Sequence, residues 1–205
     1  MSGRIIIKRE DAVKLAATGH AASADRARPA LCQTYLEWRK REDGQAVVDA
    51  KATDSYCAVI RTVEAELAEG TPDAGAFCVD AKELIAAVKA TERFLNIVIL
   101  DEDEHTVTVG NRILAKFEEG GNPVQARIEG VVYADASWSP KRYGMLPALS
   151  TTIFAKVAKA WDNPNGPLRM WCLPDMPGDA WLKPVMFTGC SAARDFRAWQ
   201  MPVRI

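Results

Sequence analysis

Hydrophobic and polar residues alternate along the chain with a period that switches between that of a strand and that of a helix. A first strand at Arg4–Lys8 is followed by an alanine-rich helix over Asp11–Ala24, although Gly19 weakens its second half. Segments rich in β-branched and aromatic residues then predict three strands, at Ala30–Trp38, Gln45–Thr53 and Tyr56–Ala65. The pattern therefore predicts a strand, a helix and three strands, in that order.

The same order begins again after a breaker-rich loop at 69–75. A strand at Ala76–Val79 leads into a helix over Asp80–Phe94, with Asp80 as the predicted N-cap and Glu83 three residues later. Three more strands are predicted, at Leu95–Leu100, Thr106–Val109 and Arg112–Phe117. These residues form a second unit of the same kind.

A third unit is predicted in the last part of the chain. It comprises a strand at Gln125–Val132, a helix over Ser150–Trp161 capped by Ser150, and strands at Pro167–Cys172, Pro184–Thr188 and Arg197–Arg204. The fold class that follows is α+β, built from repeated strand-helix-three-strand units with antiparallel sheets.

Composition excludes several classes of protein. The chain has 205 residues, 48% of them hydrophobic, and 26 basic against 27 acidic residues, so any polyanion must bind to a local patch. The five cysteines lack the spacing of a disulfide framework or a zinc site, and no apolar run reaches membrane-spanning length. We therefore expect a cytoplasmic protein with reduced thiols and no membrane partner.

Signatures of catalysis are weak. The only histidines, His20 and His105, lie in no metal-binding spacing, and the acidic run Asp101–Glu104 lacks the glycine-centred pattern of a calcium loop. Nucleophile elbows and phosphate-binding glycine loops are missing from the sequence. The sequence predicts no catalytic residue, no metal and no cofactor.

Five segments, in order along the chain, resemble the bacterial sliding clamps, the beta subunits of DNA polymerase III, in a short or phage-type form. The segments are Ser23–Trp38, Ala52–Ile60, Phe77–Ala90, Ile128–Ser137 and Met201–Ile205. ATDSYCAVI in the second is similar to the family's Ala-Thr-Asp-Gly-His-Arg-Leu-Ala-Val strand, and the final MPVRI to its Met-Pro-Met-Arg-Leu ending. The resemblance implies a DNA-clamp fold with helices on one face of the sheets.

The resemblance also implies a domain organisation. Residues 1–125 match the family's middle domain and would form a clamp-like domain of two units. Residues 126–205 would form a partial domain, with a linker strand and one unit. Because a full clamp chain has three domains of two units, a ring would need four such chains, or two chains would share a domain built from their half-domains. A homo-oligomer is the expectation.

In the family, the helices line the central hole and contact the DNA backbone without reading bases. The resemblance implies eight DNA-binding residues, namely Lys14, Arg26, Arg28, Lys82, Lys89, Arg93, Lys156 and Lys159. Spacings of seven and four residues place Lys82, Lys89 and Arg93 on one stripe of the second helix. Lysines are also ordinary on the solvent face of an amphipathic helix, and that interpretation stays open.

The family's second functional surface is a hydrophobic pocket for short peptides of polymerases and other partners. By motif position it would use Leu31, Thr53, Ser55, Tyr56, Cys57, Ala58, Tyr133, Asp135, Met201, Pro202, Val203 and Arg204. The chain departs from the family where Ser55–Ala58 replaces Gly-His-Arg-Leu and where Ala134 stands at the position of the linker proline. Packing between domains is the alternative role for the same residues.

Together these patterns predict a DNA sliding clamp, a processivity factor that encircles double-stranded DNA and tethers a polymerase through a peptide pocket. One alternative is a clamp-derived binding or regulatory protein that forms no ring. Another is an unrelated α+β enzyme, which a cleft with clustered, perturbed carboxylates would favour.

Overall fold

The computed structural model describes residues 3–91, 96–117, 149–163, 166, 168–171, 185–189 and 195–201. The first unit consists of β1 (Gly3–Lys8), α1 (Arg9–Ala17), β2 (Gln33–Lys40), β3 (Ala46–Thr53) and β4 (Cys57–Leu67). The second consists of β5 (Ala74–Asp80), α2 (Ala81–Ala90), β6 (Ile97–Glu102), β7 (Thr106–Val109) and β8 (Arg112–Ala115). The third contains α3 (Thr151–Trp161), β9 (Leu168–Trp171), β10 (Val185–Gly189) and β11 (Phe196–Gln200). Its predicted strand Gln125–Val132 lies outside the described residues.

The first two units exchange their first strands. β1 pairs antiparallel with β6 of the second unit, and β5 pairs antiparallel with β2 of the first. The close approach of β5 to β2 requires glycine at position 75, because a Cβ atom there would lie 2.1 Å from the indole ring of Trp38. Neither unit is therefore a complete sheet without the other. The α+β class and the antiparallel arrangement are confirmed.

The third unit is joined to the first through β4. One edge of this long strand pairs with β3, while the other edge pairs with β11 along Cys57–Arg61 and then with β1 at Glu66 and Leu67. β10 pairs with β11, and β9 pairs with β10. The sheet thus runs continuously from the first two units into the third. The division into domains at residues 125 and 126 stays a prediction.

Helix boundaries follow local signals. Asp80 caps α2 as predicted, because its carboxylate accepts the N–H groups of Lys82 and Glu83, and the Ser150 hydroxyl caps α3 at the N–H of Ile153. The first helix begins at Arg9 and gives way at Thr18 to a 3-10 turn, Thr18–Ala21, so the prediction of a helix to Ala24 was wrong.

Position 19 explains part of that difference. A Cβ atom at Gly19 would lie 3.1 Å from the side chain and the carbonyl oxygen of Ala81, so the chain passes close to the start of α2. Residues Pro29–Leu31 likewise form a 3-10 turn, and β2 begins only at Gln33. The N–H groups of Leu31 and Cys32 donate to the carbonyls of Arg28 and Pro29, so they are not available to a strand ladder and the predicted start of the strand at Ala30 was wrong.

Two hydrophobic cores lie between the helices and the sheets. The larger one belongs to the first two units and includes Ile5, Leu15, Trp38, Val63, Leu84 and Leu100. The smaller one combines Ala21, Ala52, Cys57 and Val59 of the first unit with Val157, Trp161, Phe187 and Phe196 of the third. Among the described residues, no helix is long and apolar enough to cross a membrane.

Candidate nucleic-acid and peptide interface

An open pocket of about 390 Å³ lies where α2 and α3 meet the 3-10 turn Thr18–Ala21 and the segment that follows it. Its ionisable lining includes His20, Arg26, Asp80, Lys82, Lys156 and Lys159. We call it the helix-face pocket. It gathers side chains from the first, second and third units on the helical side of the sheets, so the predicted basic residues of different helices do converge.

The predicted DNA-binding residues fall into two groups. Four are held in ion pairs: Lys14 with Asp11, Arg26 with Asp80, Arg28 with Asp25 and Lys156 with Asp54. Lys82, Lys89 and Lys159 are exposed and make no ion pair with any residue that the structure describes. Arg93 lies outside the described residues. Of the predicted residues that the structure describes, three lysines of α2 and α3 therefore carry the positive charge that no described carboxylate neutralises.

His20 lines the helix-face pocket and was not predicted from the sequence as a site residue. Burial, followed by the nearby charges of Lys89 and Lys159, lowers the pKa of its imidazole. The two lysines come from different helices, so their shared effect on His20 shows that α2 and α3 bring positive charge to one place. The only sequence signal was the polar His20 inside an alanine-rich segment.

The predicted peptide-binding residues of the first unit form a tight turn between β3 and β4. The carboxylate of Asp54 accepts the N–H groups of Tyr56 and Cys57, both at 2.9 Å, and the hydroxyl of Thr53 donates to the carbonyl of Cys57 at 2.6 Å. Ser55 has a φ of 82°, in the left-handed region that favours glycine. The turn pushes Tyr56 into solvent, where 58% of it is exposed.

The C-terminal predicted residues approach this turn along β11. Gln200 pairs with Cys57, and the N–H of Met201 donates to the carbonyl of Tyr56 at 2.9 Å. Met201 is 37% exposed, so the two large exposed side chains of this region are adjacent along the backbone ladder. Thr53, Cys57 and Ala58 are buried in the turn and at the start of β4.

The remaining predicted peptide-binding residues are placed less directly. Leu31 is buried in its 3-10 turn. Tyr133, Asp135, Pro202, Val203 and Arg204 lie outside the described residues. Among those that the structure describes, Thr53, Ser55, Tyr56, Cys57, Ala58 and Met201 come together.

Asp54 connects this turn to the third unit, a role that the sequence did not reveal. Burial alone would raise the pKa of its carboxyl, but the hydrogen bond from Lys156 of α3 and the two backbone N–H groups outweigh burial and lower the pKa. Beside it, burial and then the charge of Asp54 raise the pKa of the Cys57 thiol. Cys57 is thus an unreactive core residue where the family pattern has arginine.

Arg61 was also missed in the sequence, and it lies at the junction between the first and third units. Its side chain is 2% exposed, and its guanidinium lies 5.0 Å from the ring of Trp161 and 4.7 Å from that of Phe196. One nitrogen donates to the last carbonyls of α3, at 3.2 Å to Ala160 and 2.8 Å to Trp161, where the helix dipole is negative. Arg61 therefore fixes α3 and β11 onto β4.

This architecture is that of the DNA sliding clamps. Solved structures with the same fold include the DNA polymerase III beta chain of Streptococcus pneumoniae, with a TM-score of 0.67, 12% identity and coverage of 100% of this chain and 66% of that one. The DNA polymerase sliding clamp of Bacillus subtilis matches with a TM-score of 0.66 and 15% identity, over 98% of this chain and 64% of that one. The DNA polymerase III beta subunit of Thermotoga maritima matches with a TM-score of 0.67 and 14% identity, over 99% of this chain and 65% of that one.

These likenesses confirm the clamp fold and the resemblance read from the five sequence segments. The chain spans less than two thirds of the length of each of these three clamps, at 64% to 66%. No protein-family model and no curated protein matches the sequence.

Proposed function

We propose that this protein is a non-enzymatic DNA sliding clamp that encircles double-stranded DNA as a homo-oligomer and tethers a polymerase through a peptide pocket. The observation that carries the proposal is the clamp fold over essentially the whole chain, combined with three exposed lysines on its helical side that make no ion pair within the described part of the chain. Sliding requires attraction to phosphates without base readout. Mobile lysines on helices around a hole provide attraction of that kind.

The pocket part of the proposal rests on the turn between β3 and β4. Tyr56 and Met201 offer adjacent exposed apolar surface beside buried Thr53 and Ala58, a small apolar site with backbone groups at its rim. Ser55, Cys57 and Leu31 would support this site, and Tyr133, Asp135, Pro202, Val203 and Arg204 would complete it. Tyrosine in place of the family's histidine makes the site more apolar and changes the peptides that it accepts.

The clamp-derived binding protein without a ring is the second candidate. It is favoured by the incomplete span of the known clamps and by the ion pairs that neutralise Lys14, Arg26, Arg28 and Lys156. Such a protein would bind DNA weakly, and raised salt would dissociate it from circular and linear DNA alike.

Retention on DNA of different topology separates the two candidates. The protein is incubated at low salt with nicked circular DNA or with the same DNA linearised, and each sample is then washed at high salt. A clamp stays on the circle and slides off the linear form, because topological linkage does not depend on phosphate contacts. Equal loss from both would contradict encirclement.

The charge contribution is tested with matched triple variants. Replacing Lys82, Lys89 and Lys159 by alanine should weaken low-salt binding and reduce the slope of log affinity against log salt by about 3, roughly one for each phosphate contact. The control replaces Lys8, Lys40 and Arg41, which are exposed at strand ends, and removes the same charge. An equal loss in both triple variants would show that only net charge matters and would contradict a DNA-binding helical face.

A further inference from the structure

The helix-face pocket is bounded by three separate segments of the chain. These are the start of α2, the second half of α3, and the 3-10 turn Thr18–Ala21 together with the residues that follow it. Its volume of about 390 Å³ lies within the ordinary range of small-ligand pockets, roughly 300–1,000 Å³. A recess of this size would hold one small molecule.

Hydrogen bonds fix two of the three walls. In the segment after the 3-10 turn, the N–H of Ser23 donates to the carbonyl of Leu31 at 2.7 Å, and the thiol of Cys32 donates to the carbonyl of Asp25 at 3.3 Å. The start of α2 is held by the capping carboxylate of Asp80. Both walls are therefore formed before a ligand arrives, and binding would not have to order them.

Two positive charges of the pocket have no ion-pair partner within the described part of the chain. Arg26 and Lys156, which also line the pocket, are each paired with a buried carboxylate. Lys82 and Lys159 are exposed and form no such pair with any residue that the structure describes. Because these two lysines belong to different helices and line the same pocket, together they can balance the charge of one dianion.

His20 adds an imidazole whose protonation responds to charge in the pocket. Besides the other lining residues, the charged groups near this imidazole are Lys89 of α2 and Asp162 after the end of α3. Burial, followed by the charges of Lys89 and Lys159, lowers the pKa of His20, while Asp162 raises it. An anion in the pocket would oppose the effect of the lysines and therefore raise the pKa of His20.

We infer that the helix-face pocket binds a small phosphomonoester between Lys82 and Lys159. The organic part of the ligand would lie against the apolar lining residues Ala22, Ala81 and Ile85. A phosphomonoester carries a charge of about −1.5 to −2 at pH 7 and three acceptor oxygens, so one group can bind cations from two helices. Each phosphodiester of DNA carries a single charge. The inference requires neither DNA nor a ring, so it does not rest on the proposed function.

Proton NMR of the untagged protein tests the inference without DNA, because His20 and His105 are the only histidines. Adenosine 5′-monophosphate is the probe, and adenosine, which lacks the phosphate, is its control. The monophosphate should shift the His20 signal saturably and raise the pKa of that imidazole, whereas adenosine should do neither. The His105 signal should not respond, since His105 lies between β6 and β7 and does not line the pocket. An unchanged His20 signal at millimolar monophosphate, or equal responses to the two compounds, would overturn the inference.

Two double variants locate the site. Lys82→Ala combined with Lys159→Ala should weaken binding of the monophosphate at least about tenfold, because both cations that contact the phosphate are lost. Lys8→Ala combined with Arg41→Ala removes the same charge from exposed positions outside the pocket and should change the affinity less than about twofold. Circular dichroism should be unchanged in both, since all four side chains are exposed. Equal losses of affinity would show that net charge alone attracts the monophosphate and would contradict a site in this pocket.

Discussion

In residues 3–117, two units bury their helices and exchange strands, and their shared core contains residues of both. The third unit has the same helix and strands, but its core is completed by Ala21, Ala52, Cys57 and Val59 of the first unit. The larger core is therefore built from residues of the first region alone, whereas the core of the third unit also contains residues of the first unit. In both regions the hydrophobic core of one unit is thus completed by residues of another unit.

Arg61 should produce the largest difference between the two regions. Replacing it by alanine removes the bonds to the end of α3 and leaves a cavity between the rings of Trp161 and Phe196, at a cost of about 3 kcal/mol. The loss should fall on the third unit, so amide hydrogen exchange should accelerate in α3, β10 and β11 more than in β2 and β3. Equal acceleration of exchange in all strands and helices would mean that the whole chain unfolds in one cooperative step.

Arg39→Ala provides the control for that measurement. Arg39 pairs with Asp49 on β3, but 45% of its side chain is exposed, so its ion pair contributes little to stability. We expect the free energy of unfolding to change by less than about 1 kcal/mol, and hydrogen exchange to change equally in the two regions.

Asp54 should have the next largest effect, because it connects the β3–β4 turn to Lys156 of α3. At pH 7, Asp54→Asn should reduce the free energy of unfolding by about 2 kcal/mol, since the amide cannot accept as strongly from Lys156 and the two N–H groups. Urea unfolding at several pH values measures this change.

The sign of the pH dependence follows from the lowered pKa of Asp54. Its contribution to stability is complete above the ordinary aspartate value of 3.8 and is lost as the pH falls through the lower value of the folded protein. The difference between wild type and Asp54→Asn should therefore shrink below about pH 3.8. A difference that stayed constant down to pH 2 would indicate that the charge of Asp54 is unimportant.

Ser55 should give the smallest effect, and one with the opposite sign. Its φ of 82° is unfavourable for any residue with a Cβ atom, so Ser55→Gly should stabilise the protein by about 0.5–1 kcal/mol, whereas Ser55→Val should destabilise it. Because the substitution relieves strain in the first unit only, hydrogen exchange in α3 and β11 should follow global stability without a regional change. The melting temperature measures the change in stability, and hydrogen exchange measures whether that change is confined to one region.

Much of the fold was accessible from local sequence signals. Asp80 and Ser150 were recognised as helix caps because an N-cap acts on N–H groups two or three residues away. The turns that separate the strands of the first two units were marked by residues such as Gly44, Gly70 and Gly110, which the structure places at positive φ. The end of the first helix was wrong, because the approach of Gly19 to Ala81 is a contact between residues far apart in sequence.

The candidate site, like the fold, could be predicted from the sequence only in part. The helical spacing of the lysines on α2 and α3 and the similarity of the β3–β4 turn to a clamp strand were visible in the sequence, and the binding roles of these residues stay predictions. The sequence did not reveal that Arg26 and Lys156 are neutralised by buried carboxylates, or that the charges of Lys89 and Lys159 both lower the pKa of His20. These facts depend on which elements become neighbours.

By itself, the amino-acid sequence determined the repeated units, their helix caps, the α+β class and the segments that resemble sliding clamps, because each of these depends on residues within a few positions of one another. Tertiary structure alone decided that the first two units exchange strands, that β11 completes the edge of β4, and that Arg61 lies buried between two rings of another unit. The physical reason is that strand pairing and burial join residues from tens of positions to more than a hundred positions apart, and a single sequence carries no periodic signal for such contacts.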